Sequence, residues 1–84
     1  MRVIYFSTQW CAPCKALKPI AEQVSKETGI TIDYVDAQTQ QAIAKTNNIT
    51  SVPTIIGVDQ FGKEVFRHIG MTTKQHLLSL FKKL

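Results

Sequence analysis

Two cysteines, Cys11 and Cys14, stand two residues apart in the stretch STQWCAPCK, Ser7 to Lys15, and are the only cysteines in the 84-residue chain. This spacing serves three chemistries: half of a zinc site, a structural crosslink, or a dithiol that oxidises and reduces reversibly. Zinc requires four ligands, and the chain has one C-x-x-C. Its two histidines, His68 and His76, are too widely spaced for the usual paired-histidine motif. A metal shared between two copies has no support in the sequence, so no metal is expected, and both histidines are read as solvated surface residues. Structural disulfides belong mainly to exported proteins. Here the N-terminal segment MRVIYFSTQW has one positive charge and an apolar run only from Val3 to Phe6, short of the roughly 7–15 residues of a signal peptide. No apolar run approaches the roughly 20 residues of a membrane span. The chain is therefore expected in the cytoplasm, away from membranes, and the pair is read as redox-active in preference to a structural pair of thiols.

The surroundings favour that chemistry. Cys11 falls where a strand feeds into a helix, so its sulfur lies near unpaired backbone amides and the positive end of the helix dipole, both of which stabilise a thiolate. Cys14 comes three residues later, on the same helical face and within bridging reach. Pro13 stiffens the connection at a first-turn position where a missing amide costs little. Lys15 adds a nearby positive charge.

The elements that must hold this pair follow from the hydrophobic pattern. Val3–Phe6 is a short buried strand. From Cys11, the residues Cys14, Leu17, Ala21 and Val24 recur at helical spacing, with Lys15, Lys18, Glu22 and Lys26 opposite, and Gly29 ends the helix. Pro19 lies inside this helix, lacks an amide for the Lys15 carbonyl, and is expected to kink it. Residues 30–35 alternate as a second strand, and 40–46 form a short helix around Ile43. Residues 54–58 and 64–69 make a hairpin about the turn Asp59-Gln60-Phe61-Gly62. After Gly70, Thr72-Thr73-Lys74-Gln75 fits a capping box for a last helix with Leu77, Leu80, Phe81 and Leu84 on its core face. The order is β-α-β-α-β-β-α, an α/β fold with a four-stranded mixed sheet flanked by helices, and the whole of 1–84 is one domain.

Ten Lys+Arg against six Asp+Glu give a formal net charge of +4. The basic residues are spread along the chain without the clustered face and aromatic platforms of a nucleic-acid binder, so no nucleic acid is expected as a partner. The charge is read as solubility with mild attraction to acidic partners.

WCAPCK resembles the thioredoxin active-site motif W-C-G-P-C-K, with Ala12 in place of glycine, and a C-x-x-C beside a βαβ pattern is the setting of that motif. The resemblance covers essentially the whole chain: Pro19 in the active-site helix, SVPT at Ser51–Thr54, and Gly70 before the last helix all fall where thioredoxins have them. The extra N-terminal strand and helix of typical thioredoxins are missing, which brings the size close to that of glutaredoxins. The glutaredoxin C-P-Y-C and its paired-glycine glutathione segment are absent.

The resemblance implies that Cys11 is the attacking thiolate and Cys14 the resolving thiol, with their reversible disulfide serving in place of a cofactor. Pro53 would be a cis-proline facing the cysteines, Val52 would offer its backbone to an extended substrate segment, and Trp10, Ala12, Pro13 and Gly70 would complete a flat docking surface. It further implies a monomeric protein-disulfide reductase that carries electrons from a thioredoxin-reductase-type donor to protein disulfides. A glutaredoxin-like enzyme recharged by glutathione and a non-catalytic partner-binding module on the same fold are the alternatives.

Two positions depart from the family pattern. Thioredoxins usually bury an acid six positions before the first cysteine, where it helps deprotonate the resolving thiol; that position is Tyr5, and no lysine in the second strand is placed to pair with such an acid. The resolving step is therefore expected to depend less on pH than in an acid-assisted enzyme. Alanine exceeds glycine in helix propensity by about 1 kcal/mol, and about 1.4 kcal/mol corresponds to about 30 mV for two electrons. Ala12 should thus shift the redox potential by tens of millivolts, in a direction the sequence does not set.

Overall fold

The computed structural model describes residues 1–84. Its elements are β1 (Arg2–Ser7), α1 (Ala12–Thr28), β2 (Ile32–Asp36), α2 (Gln41–Thr46), β3 (Thr54–Val58), β4 (Glu64–Ile69) and α3 (Lys74–Phe81). The sheet order is β2-β1-β3-β4, with β1 parallel to β2 and antiparallel to β3, and β4 antiparallel to β3. The expected element order and mixed sheet are both present.

Alternation along the strands divides the core in two. Val3 and Tyr5 face one side, where they join Leu17, Ala21 and Val24 of α1, Leu77 and Phe81 of α3, and Ile55 and Phe66 of the hairpin. Ile4 and Phe6 face the other, with Val35, Ile56 and Ala44 of α2. Each fully buried Leu or Phe contributes about 1.5–3 kcal/mol, so the first cluster supplies most of the apolar stabilisation. Gly57 belongs to it by omission: a Cβ there would overlap the Phe66 ring, which lies directly over the strand.

Several boundaries differ by a few residues from the sequence expectation, and those at the starts of β2 and α3 have a clear local reason. β2 begins at Ile32, two residues late, because Ile30 is held in the turn after α1: its carbonyl accepts from the Ser25 hydroxyl at 2.7 Å and its amide donates to Thr28 Oγ1 at 3.3 Å. The turn is opened by Gly29 in the left-handed region, φ +72°. The N-cap of α3 is Thr73, whose hydroxyl accepts from the His76 amide, so no Thr72–Gln75 capping box forms. That helix ends at Phe81, leaving Leu84 beyond it and half-buried. Meanwhile α1 runs through Pro19 as one continuous helix.

Charged side chains staple the layers at the surface. Lys74 Nζ of α3 meets Glu27 Oε2 of α1 at 2.6 Å. Arg67 of β4 pairs with Glu64 at 2.9 Å and also donates to the Asn47 carbonyl at the end of α2. The hydrogen bond from Arg67 holds the Glu64 carboxyl below its ordinary range, against the opposing effect of its partial burial.

Candidate active site at Cys11 and Cys14

The C-terminal end of β1 leads through Thr8–Trp10 into Cys11, the N-cap of α1. Cys11 has extended backbone geometry, φ −88° and ψ 102°, and its sulfur does the capping: Sγ accepts from the Cys14 amide at 3.1 Å. An amide aimed at a sulfur, at the positive end of a 17-residue helix, favours negative charge on that sulfur. No acidic residue in the first turn opposes it, and Lys15 stands exposed beside it.

Cys11 and Cys14 are joined in a disulfide, with Cα atoms 5.2 Å apart. The two sulfurs are not equivalent. Cys11 is partly exposed, whereas Cys14 is only 3% exposed and packs on the buried face of α1. Ala12 and Pro13, the first two helical residues, are exposed between them.

The sheet topology gathers the distant segments. Phe6 pairs with Thr54, and Thr54 with Ile69, so the end of β1, the start of β3 and the end of β4 share one edge of the sheet. Pro53 therefore lies at the edge where the cysteines emerge. The Val52–Pro53 peptide is cis. Thr54 Oγ1 donates to the Ser51 carbonyl at 2.7 Å, tying down the loop that contains it. The Gly70 amide donates to the Pro53 carbonyl at 2.9 Å, and Gly70 adopts φ +92°, a conformation that favours glycine. Val52 turns its half-buried side chain toward the α2-side core. Trp10 is 83% exposed, a surface residue and no part of the core.

Two further apolar residues lie at this edge. Ile69 and Met71, on either side of Gly70, are both exposed apolar side chains. The alternation of β4 was the available signal for Ile69. His68 and His76, expected as solvated surface residues, are half-buried and exposed respectively, and they are neighbours, with ring centroids 5.3 Å apart and His68 Nε2 3.1 Å from the Met71 carbonyl oxygen. No group of three or more metal-ligating side chains occurs.

Tyr5 lies beneath the pair. It is 1% exposed, and its hydroxyl donates to the Cys14 carbonyl at 2.6 Å. Burial, aided by neighbouring Tyr34, pushes its phenol up to about 12. Tyr34 stands beside it in register on β2, ring centroids 5.4 Å apart, with Lys18 Nζ 5.0 Å from the Tyr34 ring centre.

An α/β domain with a capping cysteine, a buried partner three residues on and a cis-proline at the adjoining sheet edge defines a class of dithiol–disulfide proteins. Comparison with known proteins agrees. The thioredoxin family model matches residues 1–83. The thioredoxin of Chlamydia trachomatis is 37% identical over 82 residues, covering 96% of this chain and 79% of that protein. That of Mycoplasmoides gallisepticum is 37% identical over 81 residues, covering 95% and 80%. Thioredoxin 1 of Thermosipho africanus shares the fold, with a TM-score of 0.89 at 23% identity over 99% of this chain and 92% of that one. Oxidised mitochondrial thioredoxin 3 of Saccharomyces cerevisiae gives 0.85 at 28% identity, over 98% and 76%. The chain belongs to the thioredoxin family, and it is a thiol-disulfide oxidoreductase.

Proposed function

We propose that this protein reduces protein disulfides through Cys11 as nucleophile and Cys14 as resolving thiol. The Cys11 thiolate attacks one sulfur of a substrate disulfide: a Cys11–substrate bond forms, the substrate S–S bond breaks, and the second substrate sulfur leaves as a thiolate that takes a proton from water. Cys14 then loses its proton and attacks Cys11 Sγ. The Cys11–Cys14 bond forms and the first substrate sulfur departs, so two electrons and two protons have passed from the dithiol to the substrate.

The observation that carries these roles is the inequality of the sulfurs. Cys11 is partly exposed and hydrogen-bonded by an amide, while Cys14 is buried on the helix face. Only the first is placed to meet a sulfur on another molecule, and only the second is protected until an intramolecular partner forms.

Trp10, Ala12, Pro13, Val52, Pro53 and Gly70 form the docking surface in this reading, and Ile69 and Met71 extend it. An extended substrate segment lies along the Val52–Pro53 backbone, and proline at that point presents no amide to the thiols. The site is a surface rather than a cleft: the grooves of the molecule lie elsewhere, one lined by Met1, Phe61, Val65 and Leu84, the other by Glu22, Lys26 and Tyr34. A flat face suits a disulfide held on a protein chain. The protein acts as one domain over residues 1–84, as a monomer in the cytoplasm, with its electrons supplied by a reductase of the thioredoxin-reductase type. No helix is long and apolar enough to cross a membrane.

Reduction of a model protein disulfide, driven in parallel by a thioredoxin reductase and by glutathione with its own reductase, tests the assignment. Turnover with the thioredoxin reductase is expected. Efficient turnover with glutathione alone would reassign the protein to glutaredoxin-like chemistry, and turnover with neither would leave only the partner-binding role.

A further inference from the structure

Both backbone polar groups of Cys14 have a partner at the site. Its amide is donated to Cys11 Sγ at 3.1 Å, and its carbonyl accepts the Tyr5 hydroxyl at 2.6 Å. The resolving sulfur therefore hangs from a backbone gripped on one side by the attacking sulfur and on the other by a buried phenol. The exchange reaction consumes nothing from Tyr5, yet that hydroxyl contacts the residue whose displacement would misalign the second step.

The surroundings of Tyr5 contain no carboxylate in contact with it. In register across the sheet, its neighbours are Tyr34 on β2 and Ile55 on β3, with His68 of β4 beyond Ile55. From α1, Lys18 lies over the outer Tyr34 ring and Glu22 acts on Tyr34. Leu17 and Ala21 of α1 and Leu77 and Phe81 of α3 close the apolar cluster. Burial keeps the phenol protonated to about 12, so the hydroxyl remains a donor throughout the range in which thiols titrate.

We propose that Tyr5 is a positioning residue for the resolving step: its hydroxyl, bound to the Cys14 carbonyl, holds Cys14 Sγ in line with Cys11 Sγ, and it does so without supplying a base. The inference rests on the dithiol reading above. In that step the Cys14 thiol gives its proton to solvent, its thiolate forms the bond to Cys11 Sγ, and the departing substrate sulfur is protonated by solvent. Tyr5 orients the attack and exchanges no proton. Loss of one hydrogen bond of this kind should slow an aligned step roughly two- to twelvefold, and it should leave the first attack, made by the outward-facing Cys11, unaltered.

The two steps separate in a single-turnover reaction of the reduced protein with a symmetric nitrothiobenzoate disulfide. Release of the first coloured thiolate reports attack by Cys11, and release of the second reports resolution by Cys14. In Tyr5→Phe the first release should keep its rate while the second slows roughly two- to twelvefold at each value between about pH 6 and 9. Tyr34→Phe should keep both rates. In the wild type, the second release should rise with pH as one thiol titration, with no inflection in the carboxylate range. An unchanged second release in Tyr5→Phe, or equal slowing of both releases, overturns the proposal. If Tyr5→Phe does not fold, the wild-type profile decides, and a carboxylate-range inflection in it rejects the base-free step. A wild-type protein that releases the first thiolate but never the second would instead refute the dithiol reading itself.

Discussion

The two ends of the sheet expose aromatic rings almost equally: Trp10 is 83% exposed at one end and Phe61 84% at the other. What surrounds them differs. Phe61 sits on a turn closed by its own neighbours, with Asp59 Oδ1 accepting from the amides of Phe61 and Lys63 at 2.8 and 3.0 Å. Every hydrogen bond of the turn spans only a few residues, and although the ring borders the groove it shares with Met1, Val65 and Leu84, no reactive atom lies there. Trp10 directly precedes Cys11, the sulfur cap of α1, at the end of the sheet where β1, β3 and β4, far apart in sequence, share one edge. Exposure of an apolar ring is therefore a poor marker of a site. Convergence of distant backbone around a reactive atom is a better one.

That contrast breaks most severely at the sulfurs. Cys11→Ser should reduce protein-disulfide turnover by at least about a hundredfold, and Cys14→Ser should accumulate mixed disulfides through Cys11, visible by mass spectrometry of the intact protein. Full activity in Cys11→Ser would mean that the roles are wrongly assigned.

A second effect belongs to the active end alone and is read from stability against pH. Tyr5 is raised from the ordinary 10 to about 12 by burial. Below about pH 10 the phenol is neutral in both folded and unfolded chains, and the stabilisation is complete. Between about 10 and 12 only the unfolded chain ionises, so about 2–3 kcal/mol is lost as pH rises. Tyr34, raised by burial and by Glu22, acts in the same direction. Urea unfolding of the wild type should show this alkaline loss, and Tyr5→Phe should show much less of it. Parallel curves for the two proteins would contradict the buried hydroxyl.

The smallest effect compares the rings themselves. Trp10→Ala should raise KM for a protein disulfide by several-fold, about 1–2 kcal/mol, while Phe61→Ala should stay within about 0.5 kcal/mol of wild type in both activity and stability. Equal losses from the two variants would erase the distinction between the ends.

The sequence carried different parts of this picture with different clarity. β3 and β4 were legible to the residue, because the Asp59–Gly62 turn and the alternation around it are local. β2 starts two residues later than the alternation predicts, because Ile30 has strand character on its own and only the Ser25 and Thr28 side chains commit it to the turn. The α3 cap falls at Thr73, one position after the Thr72 of the expected capping box, because the adjacent threonine offers the same hydroxyl. The cysteines announced themselves by spacing. Pro53 and Gly70 were read only through family resemblance, since the register that joins β1, β3 and β4 at one edge is not written in any single segment. Tyr5 could be seen only as a missing acid; its bond to Cys14 exists because β1 passes beneath α1.

Cys11 Sγ is at once the cap of α1 and the atom that carries the electrons. Helix capping and electron affinity are therefore drawn from the same free energy. A substitution that strengthens the amide-to-sulfur bond in the dithiol form makes that form harder to oxidise, raising the midpoint potential by about 30 mV for each ~1.4 kcal/mol. The same amide bonds the sulfur in the disulfide form, so only the part of an N-cap's about 0.5–2 kcal/mol that is gained in the dithiol form shifts the potential, about 10–40 mV at most.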